Sequence, residues 1–149
     1  MTEFDSYRAE VEESFPGLVG ARWKITSPPD RSYNCLAWAL GLTHGWYAPA
    51  PLVGFEWPPD VSWSGDDIEA ITRLFESRGF VQSEDDEATA DLAIFQNAGA
   101  EWHVARRLDF TTWTSKLGEH VDISHALDAL EGAVYGRVVR LMRRTDATR

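Results

Sequence analysis

The chain has 149 residues, 44% of them apolar and 26% charged, which fits one globular domain with a core of its own. Its formal net charge is −10, and an acidic surface repels phosphate backbones and anionic lipid, so no nucleic acid and no membrane is expected as a partner. The single cysteine rules out an internal disulfide, and no apolar run approaches the roughly 20 residues that span a bilayer.

The N-terminus, MTEFDSYRAEVEES, lacks a basic region and an apolar core, so a cytoplasmic setting is expected. Delivery by a specialised secretion system would leave no such mark. Phe4, Tyr7, Val11 and Phe15 fall at helical spacing, which predicts a helix over Glu3 to Ser14 that Pro16 and Gly17 stop. Residues 16–32 read as loop, with SPPDRS as the clearest breaker. A helix from Asn34 to Leu42 follows, capped by Ser32 or Asn34 and ending near Gly41. Residues 44–64 are rich in proline and large aromatics and have no helical period, the pattern of a lid or of a segment wrapped over the core.

Ser64 and Asp67 form a capping box for the next helix, whose stripe is Ile68, Ile71, Leu74 and Phe75 and whose stop is Gly79. Phe80 to Gln82 begins a strand, and SEDDEATAD is an acidic connection. The period then changes. Asp91 to Gln96 and Trp102 to Leu108 read as two strands joined by the turn NAGAE, with Trp113 to Leu117 as a third. Ser124 to Glu131 reads as a short helix ended by Gly132, and Val134 to Met142 as the last strand. Helices first and an antiparallel meander second make the fold class α+β, in a single domain over 1–149. The arginines at 137, 140, 143, 144 and 149 read as a solvated strand face and tail.

The chemistry centres on YNCLAWALG, residues 33–41. Cys35 there lies in the first helical turn, where unpaired N–H groups and the positive end of the macrodipole favour thiolate and can hold an oxyanion. A competing reading is also available: Cys35, Trp38, Ala39 and Leu42 form an apolar stripe, and free cysteine is commonly buried. A thiol nucleophile needs an imidazole to take its proton, and His103, at the start of a strand after a hairpin turn, is the best placed of the four histidines. Strand alternation puts His103, Ala105 and Arg107 on one face. No C-x-x-C or H-x-x-x-H pair occurs, so no metal site is predicted.

YNCLAWAL, DLAIFQNAGAEWHVARRL and YGRVVRLMRR together resemble the core of NlpC-like and CHAP-like peptidases of the papain-fold superfamily. Those families share a helix that begins at Cys, a strand Asp-Leu-x-x-Phe, a hairpin, and a strand that begins His-Val. WKITSPPDRSYNC is similar to the aromatic-led loop before the Cys in NlpC-like enzymes, with Trp23 at the aromatic position. YNCLAWALG, WTSKLG and ISHALDALEG also resemble a bacterial family of unknown function. The resemblance covers roughly residues 22–142 in pattern and order. It implies a papain-like core, a helix-start Cys packed on an antiparallel sheet, with Cys35 as nucleophile and His103 as general base. The NlpC-like start Asp-Cys-Ser-Gly is replaced by Asn34-Cys35-Leu36-Ala37. The third polar residue is expected on the strand after His103, at Ser115 beside Lys116, with His125 as the looser candidate.

The resulting expectation is a cysteine hydrolase or acyltransferase that acts on an amide or peptide bond, a protein's included, through a thioester and without a cofactor. Asn34, as an oxyanion donor, and Trp46 and Trp57, as groove walls, are the candidates for holding substrate. The alternatives are a binding protein on the same fold, an immunity or adaptor protein, and a secreted effector or toxin.

Overall fold

The computed structural model describes residues 3–49, 54–63, 65–83 and 87–145. Among them, α1 (Glu3–Ser14), α2 (Cys35–Ala39) and α3 (Asp67–Glu76) accompany seven strands: β1 (Lys24–Ser27), β2 (Phe80–Gln82), β3 (Leu92–Gln96), β4 (Trp102–Arg107), β5 (Trp113–Lys116), β6 (Asp122–His125) and β7 (Arg137–Arg144). The strands form one antiparallel sheet in the order β1-β6-β5-β4-β3-β7-β2. The run β3 to β5 is the meander that the alternating second half of the sequence predicts, and β6 extends it by a strand that the sequence reading does not include. No helix of the described residues is long and apolar enough to cross a membrane.

Side chains alternate along a strand, so the sheet presents two faces. Leu92, Ile94 and Val104 pack with Leu36 and Ala39 of α2 and with Ile71, Leu74 and Phe75 of α3. Ala93, Phe95 and Ala105 pack on the opposite face with Val11 of α1 and with Phe15, Leu18, Leu127 and Leu130. Helices therefore cover both faces, with α2 lying against β4 and β5. The β4–β5 ladder is registered only at Arg106↔Thr114 and Arg107↔Trp113. No β4–β5 pair is registered beyond Arg106 towards His103, and α2 contacts both strands.

Several local expectations need correction. Residues 16–32 include β1, an edge strand whose side chains run from exposed to half-buried, so no apolar alternation marks it. The helix expected over Ser124 to Glu131 is instead the end of β6 and a 3-10 turn, Leu127–Leu130. Ser124 is paired on both sides, with Lys24 of β1 and Thr114 of β5, and this tertiary pairing overrides the local helical spacing. The helix at Cys35 ends at Ala39, and the final strand is Arg137–Arg144. Ser64 lies outside the described residues, and α3 is capped by Asp66, whose side chain accepts from the Glu69 N–H at 3.1 Å. Arg140 is not simply solvated: it pairs with Glu69 of α3 at 2.7 Å. Arg149 lies outside the described residues.

Candidate active site

Asn34 fixes the start of α2. Its Oδ1 accepts from the Ala37 N–H at 3.1 Å and the Tyr47 N–H at 3.2 Å, and its Nδ2 donates to the Tyr47 carbonyl at 2.8 Å. One buried side chain thus caps the helix and ties the aromatic loop to it. This use as an anchor commits Oδ1 and one of the two Nδ2 hydrogens.

Cys35 follows at the first helical position, 8% exposed, and belongs to neither apolar cluster. The burial in the competing reading of Cys35 is present, since Cys35 counts among the buried apolar residues. Cys35 lines a cavity of about 310 Å³ with His103, Tyr135, Trp46, Phe55 and Trp102. Trp46, expected at the groove wall, is there, and its Nε1 donates to the Arg31 carbonyl. Trp57 is not: its indole donates to the Val61 carbonyl at 2.7 Å and packs on the α3 side of the sheet.

Three predicted residues form one hydrogen-bonded chain. His103 Nε2 lies 2.9 Å from Ser115 Oγ, and the same Oγ lies 2.8 Å from His125 Nε2. His125 Nδ1 lies 2.7 Å from the Ala126 carbonyl. A carbonyl only accepts, so His125 carries its proton on Nδ1 and Nε2 is the acceptor. Ser115 must then donate to His125 and accept from His103 Nε2–H. That leaves the lone pair of neutral His103 on Nδ1, which has no hydrogen-bond partner among the described residues. His103 and His125 are each 1% exposed and Ser115 is fully buried, so water does not scramble this order. His125 sits on a strand rather than in a helical turn, and both Ser115 and His125 take part.

Burial sets the protonation states. It holds His103 well below the usual imidazole range, with a smaller push from His125. It lowers His125 to about 4, against the bond to Ala126. It raises the Cys35 thiol to about 11, although the N–H groups of Val104, Cys35 and Leu36 and the Lys116 charge all favour thiolate. The expectation of a thiolate is thus corrected. A five-residue helix has little macrodipole, and desolvation outweighs it. The resting pair is thiol and neutral imidazole.

Sequence reasoning missed two parts of the surroundings. Tyr135 stacks on the His103 ring at 3.9 Å between centroids and 3° between planes. The signal was Gly136: its φ is +72°, and a Cβ there would come within 2.0 Å of the Gln96 carbonyl oxygen, so only glycine lets Tyr135 reach this position. The second part is a buried polar group on the other face. Tyr33 and Ser27 donate to Asp122 Oδ2 at 2.5 and 2.6 Å, and fully buried Lys116 donates to the carbonyls of Asp30 and Gly118. No cluster of three or more metal-ligating side chains occurs among the described residues.

The chain matches no curated protein and no solved structure. A family described as a domain of unknown function, DUF7689, matches residues 24–143, which include all of the site residues above. The chain belongs to this DUF7689 family.

Proposed function

We propose that the protein is a cysteine hydrolase or acyltransferase on a papain-like core, acting on an amide or peptide bond. The observation that carries this reading is the ordered chain Ala126–His125–Ser115–His103, which fixes the His103 tautomer beside the cavity that Cys35 lines. Fixing a base by a second buried group is the recurrent device of thiol and hydroxyl nucleophiles.

The reaction follows from the resting state. As the Cys35 sulfur attacks the carbonyl carbon, its proton passes to His103 Nδ1. The C–S bond forms while the carbonyl π pair moves to oxygen. Backbone N–H groups around the sulfur stabilise the oxyanion, and His103 returns its proton to the leaving amine. Water or an amine then attacks the thioester and gives its proton to His103, the C–S bond breaks, and His103 passes that proton to the departing Cys35 sulfur, which restores the thiol. Because both groups rest neutral, proton transfer accompanies attack and no ion pair is stored beforehand. The test is acylation by p-nitrophenyl acetate, an activated donor that bypasses substrate selectivity. The expected result is a stoichiometric nitrophenolate burst with an acetyl adduct on Cys35 by mass spectrometry, absent in Cys35→Ala. No burst from folded wild type would overturn the reading.

A second reading, a binding protein that keeps this fold, is favoured by one observation: the thiol is buried and its pKa is raised. It predicts that acylation at Cys35 is no faster than that of an exposed free thiol.

A further inference from the structure

The antiparallel register brings one end of four strands together: the C-terminal end of β4, the start of β3, the end of β7 and the start of β2. Arg106 stands opposite Leu92, Leu92 opposite Met142, and Phe80 opposite Arg144. Arg78 enters from the turn after α3. These ends and the residues after α2 enclose a cavity of about 540 Å³ lined by Arg78, Arg106, Arg107 and Arg144. That volume suits a small ligand. The cavity lies at the opposite end of β4 from His103, about 10 Å away at roughly 3.3 Å per residue.

Four arginines along one concavity are unexpected on a chain of net charge −10, although the Arg107 guanidinium itself lies over the Trp113 ring at 4.6 Å, on the other face of the sheet from Arg106. None of them forms an ion pair among the described residues. Asp91 is the carboxylate in the lining, and its Oδ2 accepts from the Arg144 backbone N–H at 2.7 Å. Arg107 is held by neutral carbonyls, those of Ala90, Phe110, Asp109 and Glu87, and its charge also acts on the Asp109 carboxylate. Arg106 is fixed more firmly: Nη1 donates to the Trp38 carbonyl at 2.9 Å and the guanidinium lies 4.3 Å over the Trp38 ring. Trp38 Nε1 in turn donates to Thr114 Oγ1, which donates to the Arg106 carbonyl, closing a ring of contacts. The remaining donors of Arg106 are thus held in place with no carboxylate hydrogen-bonded to them among the described residues, the Asp122 charge acting on the guanidinium only at a distance. Arg78 and Arg144 are exposed at the rim, and Arg144 lies over the Phe80 ring at 4.5 Å. A planar fork held rigid by an aromatic face, with charge left over, is how arginine recognises phosphate and carboxylate groups.

We propose that this arginine-lined cavity is an anion-binding site that takes a small ligand through its phosphate or carboxylate groups. The proposal stands whether or not Cys35 is a nucleophile. The experiment is isothermal titration of the full chain at fixed ionic strength with inorganic pyrophosphate and, separately, with tricarballylate. Saturable binding at one site per chain is expected for at least one probe. Binding of pyrophosphate alone assigns a phosphate ligand, and binding of tricarballylate alone or of both assigns a carboxylate-accepting site. The double variant Arg78→Gln/Arg144→Gln, whose changes lie at the exposed rim, should weaken binding by about tenfold or more. Arg106→Gln should do the same. Absence of saturable binding by either probe overturns the proposal, as does binding that the rim variant leaves unchanged.

Discussion

At the residue scale, Ser115 has the most to lose. It is the sole link between two buried imidazoles, so Ser115→Ala strands the His103 Nε2–H and leaves the His125 acceptor empty. An unsatisfied buried group costs about 1–3 kcal/mol, and urea unfolding should show a loss of that order. Acylation by p-nitrophenyl acetate should fall as well, because the His103 tautomer is no longer imposed. Unchanged stability and rate would remove Ser115 from the account. Lys116 poses a different problem. It is fully buried opposite Asp122, whose Oδ1 has no hydrogen-bond partner among the described residues. Lys116→Met would remove the charge that acts on Asp122 and strand the Asp30 and Gly118 carbonyls that Nζ bonds, a loss of about 1–3 kcal/mol by urea unfolding. Asp122→Asn in the same background should recover part of it. A Lys116→Met protein as stable as wild type would contradict this role of the buried ammonium.

At the element scale, the joint between α2 and the aromatic loop rests on Asn34. Asn34→Ala removes a helix cap and two ties to Tyr47, and should cost about 1–2 kcal/mol while increasing amide exchange at Tyr47 and Ala37. Unaltered exchange at both amides would place the anchor elsewhere. The same element shows what the sequence could reveal. Asn34 before an apolar helical stripe marked the start of α2, and alternation marked β3, β4 and β5. The pairing of Ser115 with His103 was reachable by placing the next strand beside β4. Three features were not reachable. β1 is a polar edge strand with no alternation to read. At Ser124 the spacing of ISHALDALEG is helical, and only pairing with two neighbouring strands makes it β. Lys116 and Asp122 gain their roles from partners far along the chain, which local pattern does not encode. The thiol state was misjudged for a related reason: helix position is local, whereas desolvation depends on everything packed around it.

At the scale of the whole molecule, the buried histidines couple stability to pH. Both have folded pKa values below the unfolded value near 6.5, so the unfolded chain takes up more protons as pH falls through that value. Their stabilising contribution is complete above about 6.5 and drains away below it, down to about 4 for His125. For His125 alone the shift is worth about 3 kcal/mol, of which roughly 2 kcal/mol should be lost between pH 7 and pH 5. The urea midpoint should therefore drop over that interval, and His125→Gln should reduce the drop. A midpoint independent of pH would mean that the histidines are not buried neutral.

The central claim is that Cys35 and His103 work as one chemical unit. The most direct measurement is the pH profile of Cys35 alkylation by iodoacetamide, followed by intact mass, in wild type and in His103→Ala. An isolated buried thiol would react only as pH approaches its own value of about 11. The account predicts that wild type reacts at neutral pH at least about tenfold faster than His103→Ala, the lower end of what general-base assistance supplies being larger still. It also predicts that the two profiles converge at high pH, where the thiol ionises unaided. Superimposable profiles across the whole range would contradict the account.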